Sequence, residues 1–369
     1  MSRRRTALVA AMAERDVDHL VLYGAERSGS AIPWLTRWPV TREAIVVVTP
    51  SERDLLLVGF YNHVPNAERI ATEAEVRWTG PNPMVTALEE LRRRGAAGGP
   101  IGVVGPLGYR PHGALAGFAG ELVPLDDAYV RLRLTKSDEE LEWLRVGAEL
   151  TDSAVRALHE QAEPGLDERR LGDIVERAYV ARGGTTHIHY FGATPMSDSR
   201  QCVPAQWPSA RRLERDDALT CEISASYWGY SGQLLRTFAV GAEPAPLYRE
   251  LHEVADAAFD ALLDRVRPGA TAAELVEASA VIGDAGFTTR DDLVHGFVGG
   301  YLPPVLGDTT RALEEIPDFM LEEGMTVVIQ PNVVTLDESA GVQTGELVLV
   351  TRDGAERLHD YERGLLRVG

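Results

Sequence analysis

Four titratable residues stand where they could do chemistry. His187 and His189 lie two apart in THIHYFG, Glu222 lies in CEISASYWGYSGQLLRTFAVG, and His295 lies in VHGFVGG. Each is a candidate general base: histidine titrates near neutrality, and burial can bring a glutamate there. A spacing of two on a strand puts both side chains on one face. His187 and His189 are therefore expected side by side, either at the mouth of a site or as structural groups. His295 reads as a catalytic group or as a hydrogen-bonded turn histidine. Glu222 reads as a catalytic acid or as a buried ion-pair partner of Arg236 or another cation. The stretch Cys221 to Gly241 has the frame of a metal-binding β-hairpin, yet Glu222 is its one acid. Two divalent ions need several carboxylates to offset their charge. The chain's two cysteines, Cys202 and Cys221, cannot build a disulfide framework and read as buried thiols.

These residues need a scaffold, and the apolar pattern supplies one. HLVLYG (19–24), AIVVVT (44–49), DLLLVGF (54–60) and IGVVG (101–105) read as buried strands, with helices over 3–15 and 84–95. GVVGPLG lacks the strand–GxGxxG–helix fingerprint, which excludes a dinucleotide site. Ser137 followed by Glu140 is a capping-box pattern that opens a long helix over 138–162. Helices are expected over 167–182, 246–266 and 272–286, and strands over 218–224, 232–241, 326–334 and 341–351. Segments 195–212 and 301–320 read as loops, and RDGAERL as a turn joining two short strands. At 369 residues the chain fits two domains, 1–134 and 135–369.

Five ordered segments carry a family resemblance. LRLTKSDEELEWLR, GYSGQLLRTFAVG, VHGFVGG, EEGMTVVIQPNVV and GVQTGELVLVTRDGAERL resemble the catalytic domain of aminopeptidase P, prolidase and creatinase. The resemblance implies a two-domain α/β fold: a ribonuclease H-like creatinase N-terminal domain, then an α+β pita-bread domain of the methionine aminopeptidase superfamily. Metal-dependent members hold two metals with Asp, Asp, His, Glu and Glu. Here those positions fall on Glu222, Gln233, His295, Gln330 and Gly345. Glu346 is next to the last, but on a strand it should face the other way. The family's second histidine falls on Leu302. Creatinase's base falls on Ala205, and its substrate glutamates on Leu235 and Gln330.

The resemblance thus implies a site without a dinuclear metal cofactor, with room for at most one weakly held divalent ion. Glu222 and His295 are the expected catalytic residues. Gln233, Gln330, Gln343, His187 and His189 are the expected substrate-binding residues, converging in one cavity. Amides offer paired donors and acceptors, which suits a zwitterionic or amide-bearing molecule. The expected activity is metal-independent hydrolysis, or related C–N cleavage, of a small amino-acid derivative or modified dipeptide. The competing readings are a metal-dependent Xaa-Pro peptidase with a reduced site and a non-catalytic binding protein of the same fold.

Charge narrows the partners. The formal net charge is −19, from 37 basic and 56 acidic residues, so neither nucleic acid nor an anionic membrane is expected. No apolar run is long enough for a transmembrane helix, and the amphipathic start after MSRRR is not a signal peptide, which places the protein in the cytoplasm. A homodimer is expected: Trp34, Trp38 and Trp228 read first as packing residues, while the WLTRWP loop, with Trp34, offers aromatic and cationic groups suited to covering a partner's site.

Overall fold

The computed structural model describes residues 2–26, 28–311 and 315–369. The chain divides into two compact units, Met1–Arg133 and Leu134–Gly369.

The first unit is a six-stranded sheet: β1 (His19–Ala25), β2 (Glu43–Val48), β3 (Leu55–Val58), β4 (Glu75–Trp78), β5 (Pro100–Val104) and β6 (Glu121–Pro124), in the order β4-β3-β2-β1-β5-β6. The helices are α1 (Ser2–Ala13), α2 (Ala31–Thr36), α3 (Val64–Ile70), α4 (Pro83–Arg93), α5 (Tyr109–Ala116) and α6 (Asp126–Leu134). The central strands are apolar on both sides because both sides are covered. Leu20, Leu22 and Val46 fill one apolar cluster, and Val21, Ile45 and Leu57 fill another. Strands β4 and β6 lie at the sheet edges and are partly exposed, so they lack that signal. Trp34 and Trp38 are buried, and Trp34 packs edge-on to Tyr129 at 5.4 Å. Both rings belong to the unit's own core, the packing role read for them first, rather than lying open to a partner.

The second unit opens with α7 (Asp138–Gln161), where Ser137 N–H and Oγ–H both donate to Glu140, at 3.0 and 2.8 Å. Helix α8 (Glu168–Tyr179) follows. A ten-stranded sheet then contains β7 (Thr185–Pro195), β8 (Asp217–Tyr227), β9 (Tyr230–Ser231), β10 (Leu234–Val240), β12 (Val294–Phe297), β13 (Tyr301–Leu306), β14 (Thr326–Ile329), β16 (Gly345–Thr351), β17 (Gly354–Arg357) and β18 (Leu366–Val368). Its main path is β13-β12-β14-β16-β10-β8-β7. A separate pair joins β11 (Thr288–Thr289) to β15 (Val333–Val334). Helix α9 (Pro246–Leu263) packs on an apolar cluster that includes Val294, Val327 and Val348. The expected helix over 272–286 divides into α10 (Ala272–Ala278) and α11 (Ala280–Asp284), meeting at Ser279.

One expected loop is a strand. Within 301–320, residues Tyr301–Leu306 form β13 despite Pro303 and Pro304. The reason is position: β13 is the last strand of the sheet, and an edge tolerates residues without an N–H donor. Residues 312–314 of that expected loop lie outside the described residues.

Candidate active site

Strand β8 separates two environments. Cys221, Ile223 and Ala225 pack into the apolar cluster formed with α7 and α8. By alternation, Thr220, Glu222 and Ser224 face the other side. The antiparallel register sets Tyr190 of β7 and Leu235 of β10 opposite Glu222. Gln233, at the entry to β10, donates its Nε2 to Glu222 Oε1 at 2.6 Å.

A second group assembles at β12. Gln330 donates its backbone N–H to the Leu293 carbonyl at 2.9 Å and its Nε2 to the Asp292 carbonyl at 3.0 Å. His295 is fully buried, with Nε2 3.8 Å from Asp292 Oδ2. Tyr301 stacks on the His295 ring at 4.0 Å and donates its hydroxyl to Asp292 Oδ1 at 3.0 Å. Phe297 stands edge-on to His295 at 5.6 Å and His187 edge-on to Phe297 at 5.9 Å. Gln343 is placed through Thr237 of β10, whose Oγ1 accepts from the Gln343 N–H at 2.7 Å.

Electrostatics ties the two groups together. Burial, and then the charges of Asp291 and Asp292, push Glu222 up to about 8. Asp291 is pushed up to about 7, first by burial and then by Asp292. Burial likewise raises Asp292. Burial brings His295 down to about 4, against weaker opposition from the Gly296 carbonyl, Asp291 and Gln330. Near neutral pH the site therefore holds a protonated Glu222 and a neutral imidazole. Perturbed acids and bases clustered in this way mark functional sites. Several buried side-chain atoms have no protein partner: Ser224 Oγ, Gln233 Oε1, Asp292 Oδ2, His295 Nε2, Gln330 Oε1 and both amide atoms of Gln343. Buried polar atoms are normally paired, so these leave room for polar partners that the chain itself does not supply.

The donor set does not fit two divalent ions. Gln233 and Gln330 bring neutral amides, which are weak ligands for transition metals, and Gln233 is already bonded to Glu222. Gly345 brings no side chain, and packing keeps it so: a Cβ there would meet Ile329 O at 2.6 Å and Gln330 Cα at 2.8 Å. Glu346 points to the far face, as alternation requires, where it pairs with Arg236 at 2.9 Å and with Arg357. Among the described residues no group of three or more His, Cys, Asp or Glu side chains could hold a metal. Gly345→Glu is therefore expected to lower stability by roughly 1–3 kcal/mol through overpacking and to bring no tightly bound metal. Denaturant melts with elemental analysis check this, and a stable variant carrying stoichiometric metal would contradict it.

Two expectations need correction. His187 and His189 do not share a face. The β7/β8 register shifts between Thr186 and Ile188, which inserts a bulge and breaks the alternation. His187 turns to Phe297, while His189 bonds Tyr179 OH at 2.9 Å on the helical side. His189 therefore does not lie on the face that carries Glu222. Glu222 is not the partner of Arg236, because Arg236 is committed to Glu346. Asp291, Asp292 and Tyr301 were missed by the sequence reading. The available signal was the adjacent acid pair in RDDLVHGF, at the entry to an otherwise apolar strand.

The sequence profile of metallopeptidase family M24 matches residues 142–352. An Xaa-Pro dipeptidase of Pyrococcus furiosus is 30% identical over 247 residues, covering 67% of this chain and 69% of its own. One of Pyrococcus horikoshii is 27% identical over 247 residues, covering 67% and 68%. Among solved structures, an Xaa-Pro dipeptidase from Bacillus anthracis superposes with a TM-score of 0.84 at 21% identity, covering 100% of this chain and 99% of its own. Prolidase from Pyrococcus furiosus superposes with a TM-score of 0.81 at 23% identity, covering 96% and 100%. The fold is the two-domain pita-bread architecture of these prolidases. Among the described residues no helix is long and apolar enough to cross a membrane.

Proposed function

The chain belongs to metallopeptidase family M24, and from that premise we propose that its second unit hydrolyses a C–N bond in a small peptide or amino-acid derivative. Glu222 and His295 supply the acid–base chemistry, without a dinuclear metal centre. The observation that carries this reading is a carboxyl group protonated up to about 8 in the same cluster as an imidazole that stays neutral down to about 4. The names of the relatives, Xaa-Pro dipeptidases, support a short peptide as the substrate class.

The chemistry needs one proton acceptor and one donor. His295 Nε2, which has no protein partner, accepts a proton from the attacking water. The water oxygen bonds to the carbonyl carbon. As the C–N bond breaks, protonated Glu222 gives its proton to the departing nitrogen, and the imidazolium proton then restores Glu222 through solvent. Tyr301, stacked on His295 and bonded to Asp292, fixes the ring plane. Gln233, Gln330 and Gln343 offer amide groups to orient the substrate, and His187 contributes an aromatic edge beside Phe297.

A second reading, a metal-dependent Xaa-Pro peptidase with a reduced site, is the one favoured by the match to a metallopeptidase family and by the relatives' names. One experiment separates the two. Purified protein is assayed on Xaa-Pro dipeptides and on amino-acid amides, with and without chelator, across pH. The expected result is turnover that survives the chelator, with a bell-shaped kcat/KM between about 4 and about 8. Activity abolished by chelator and restored by Mn2+ would establish the second reading instead.

A further inference from the structure

The first unit has a crevice of its own. Strands β1 and β5 run parallel as neighbours in its sheet. The chain leaves their carboxyl ends towards opposite faces. After β1 it enters α2, which packs Ile32 and Leu35 into the apolar cluster of Leu20 and Leu22. After β5 it enters α5, which packs Leu115 into the cluster of Val21 and Ile101 on the other face. Loops that diverge beyond adjacent parallel strands leave a gap between them, and open α/β sheets bind ligands in such gaps. Here the gap is a crevice of about 420 Å3, walled by residues 28–31 and 104–106.

Both loops are fixed in place. Ala25 and Ser28 exchange backbone hydrogen bonds of 2.9 and 3.0 Å, which closes the chain after β1. Gly29 and Gly105 have φ of +83° and +109°, and a Cβ on either would collide with the Tyr23 carbonyl oxygen, at 2.9 and 2.1 Å. Helix α6 forms the third side. Asp126, Tyr129, Val130 and Arg133 share one helix face through their i, i+3, i+4, i+7 spacing, and all four line the crevice.

The donors gather at one end. Arg133 donates from Nη1 to Ser30 Oγ at 3.1 Å, and Ser30 Oγ lies 2.8 Å from Tyr129 OH. The guanidinium sits over the Tyr129 ring, 5.4 Å from its centroid, which holds its plane. Among the described residues no carboxylate pairs with Arg133, although acidic residues outnumber basic ones by 56 to 37. A guanidinium without a counter-ion, beside serine hydroxyls, is chemistry that recognises an oxyanion. The acid of the crevice stands at the other end. Asp126 lies seven residues before Arg133, about 10 Å along the helix axis. Its Oδ1 accepts from the Gly105 N–H at 2.9 Å.

We propose that the crevice beyond β1 and β5 binds a small anionic molecule, a carboxylate or a phosphate ester, through Arg133, Ser30 and Ser28. The oxygens of the anion take the guanidinium N–H groups that Ser30 leaves open, and the serine hydroxyls complete the set. This inference concerns the first unit and does not rest on the hydrolytic reading of the second.

Calorimetry tests it directly. The full chain is titrated with inorganic phosphate, acetate and uncharged glycerol, each at equal ionic strength. The expected result is saturable binding of the anions and none of glycerol. Tighter phosphate assigns the site to a phosphate ester, and tighter acetate to a carboxylate. Binding should weaken roughly tenfold in Arg133→Gln, which removes the charged fork, and roughly threefold in Ser30→Ala, which removes one hydroxyl. Arg131→Gln, exposed on the same helix and outside the crevice, should bind as the wild type does. Thermal melts confirm that each variant is folded, and Ser30→Ala decides alone if Arg133→Gln is not. No saturable binding of either anion would overturn the proposal. So would binding unchanged in the folded site variants, glycerol bound as tightly as the anions, or an equal loss in Arg131→Gln, which would mark attraction to the helix surface rather than to a site.

Discussion

Glu222→Gln is expected to raise stability above pH 7 and to abolish turnover in the same molecule. The folded-state value of Glu222, about 8, lies well above its ordinary 4.5. Between those two values the folded chain holds a proton that the unfolded chain has released. Stability is therefore fully present below about 4.5 and is lost as pH rises towards about 8. Glutamine keeps the shape, still bonds Gln233 through its carbonyl, and never has to ionise. At pH 8 the variant should be more stable than wild type, on the order of 3 kcal/mol, while at pH 4.5 the two should match. A residual slope should remain in the variant, because Asp291 is shifted in the same direction, from 3.8 to about 7. Loss of the acid should lower kcat by at least ~100-fold. Paired thermal melts at the two pH values and one activity assay decide it. A variant less stable at both pH values would show that Glu222 makes a stabilising ionic contact, and retained turnover would remove it from the mechanism.

The opposite behaviour is expected of Glu346, the neighbouring acid on the far face. It is fully buried between Arg236 and Arg357, and Arg236 is itself 1% exposed. Burial alone would raise Glu346; the Arg357 hydrogen bond and the Arg236 charge outweigh it and hold the carboxyl below its ordinary range. Arg236 also donates to the carbonyls of Leu235, Gly345, Tyr361 and Glu362, so it cannot leave when its partner is removed. Glu346→Ala should therefore cost about 3–5 kcal/mol, the usual effect of stranding a buried charge. Adding Arg236→Met should return part of that loss, because the stranded charge goes with it. Urea melts of the two single variants and the double variant measure the coupling. A single-variant loss below ~1 kcal/mol would mean the network is dispensable. The contrast with Glu222 is instructive: two buried glutamates, one with cations and one with other acids, respond to neutralisation in opposite directions.

Local pattern alone determined a good deal of this. Apolar runs located the central strands, because a strand covered on both faces has no polar positions to interrupt it. The Ser137–Glu140 pair located the start of α7, because both halves of a capping box lie within one turn. Alternation along β16 was enough to send Glu346 away from the site. Tertiary structure decided what depends on contacts between distant segments. One inserted residue at the β7 bulge turned His187 to the site and His189 away from it, and strand spacing carries no sign of where a partner strand slips. The sequence offered Glu222 as a possible partner of Arg236, and only the placement of β16 beside β10 brought the distant Glu346 to it instead. Asp291, Asp292 and Tyr301 became part of the site because the β12–β13 hairpin folds Tyr301 over His295 and brings both acids within electrostatic reach of Glu222. Charges and rings act on one another through space, and their separation in space is set by the fold rather than by their separation along the chain.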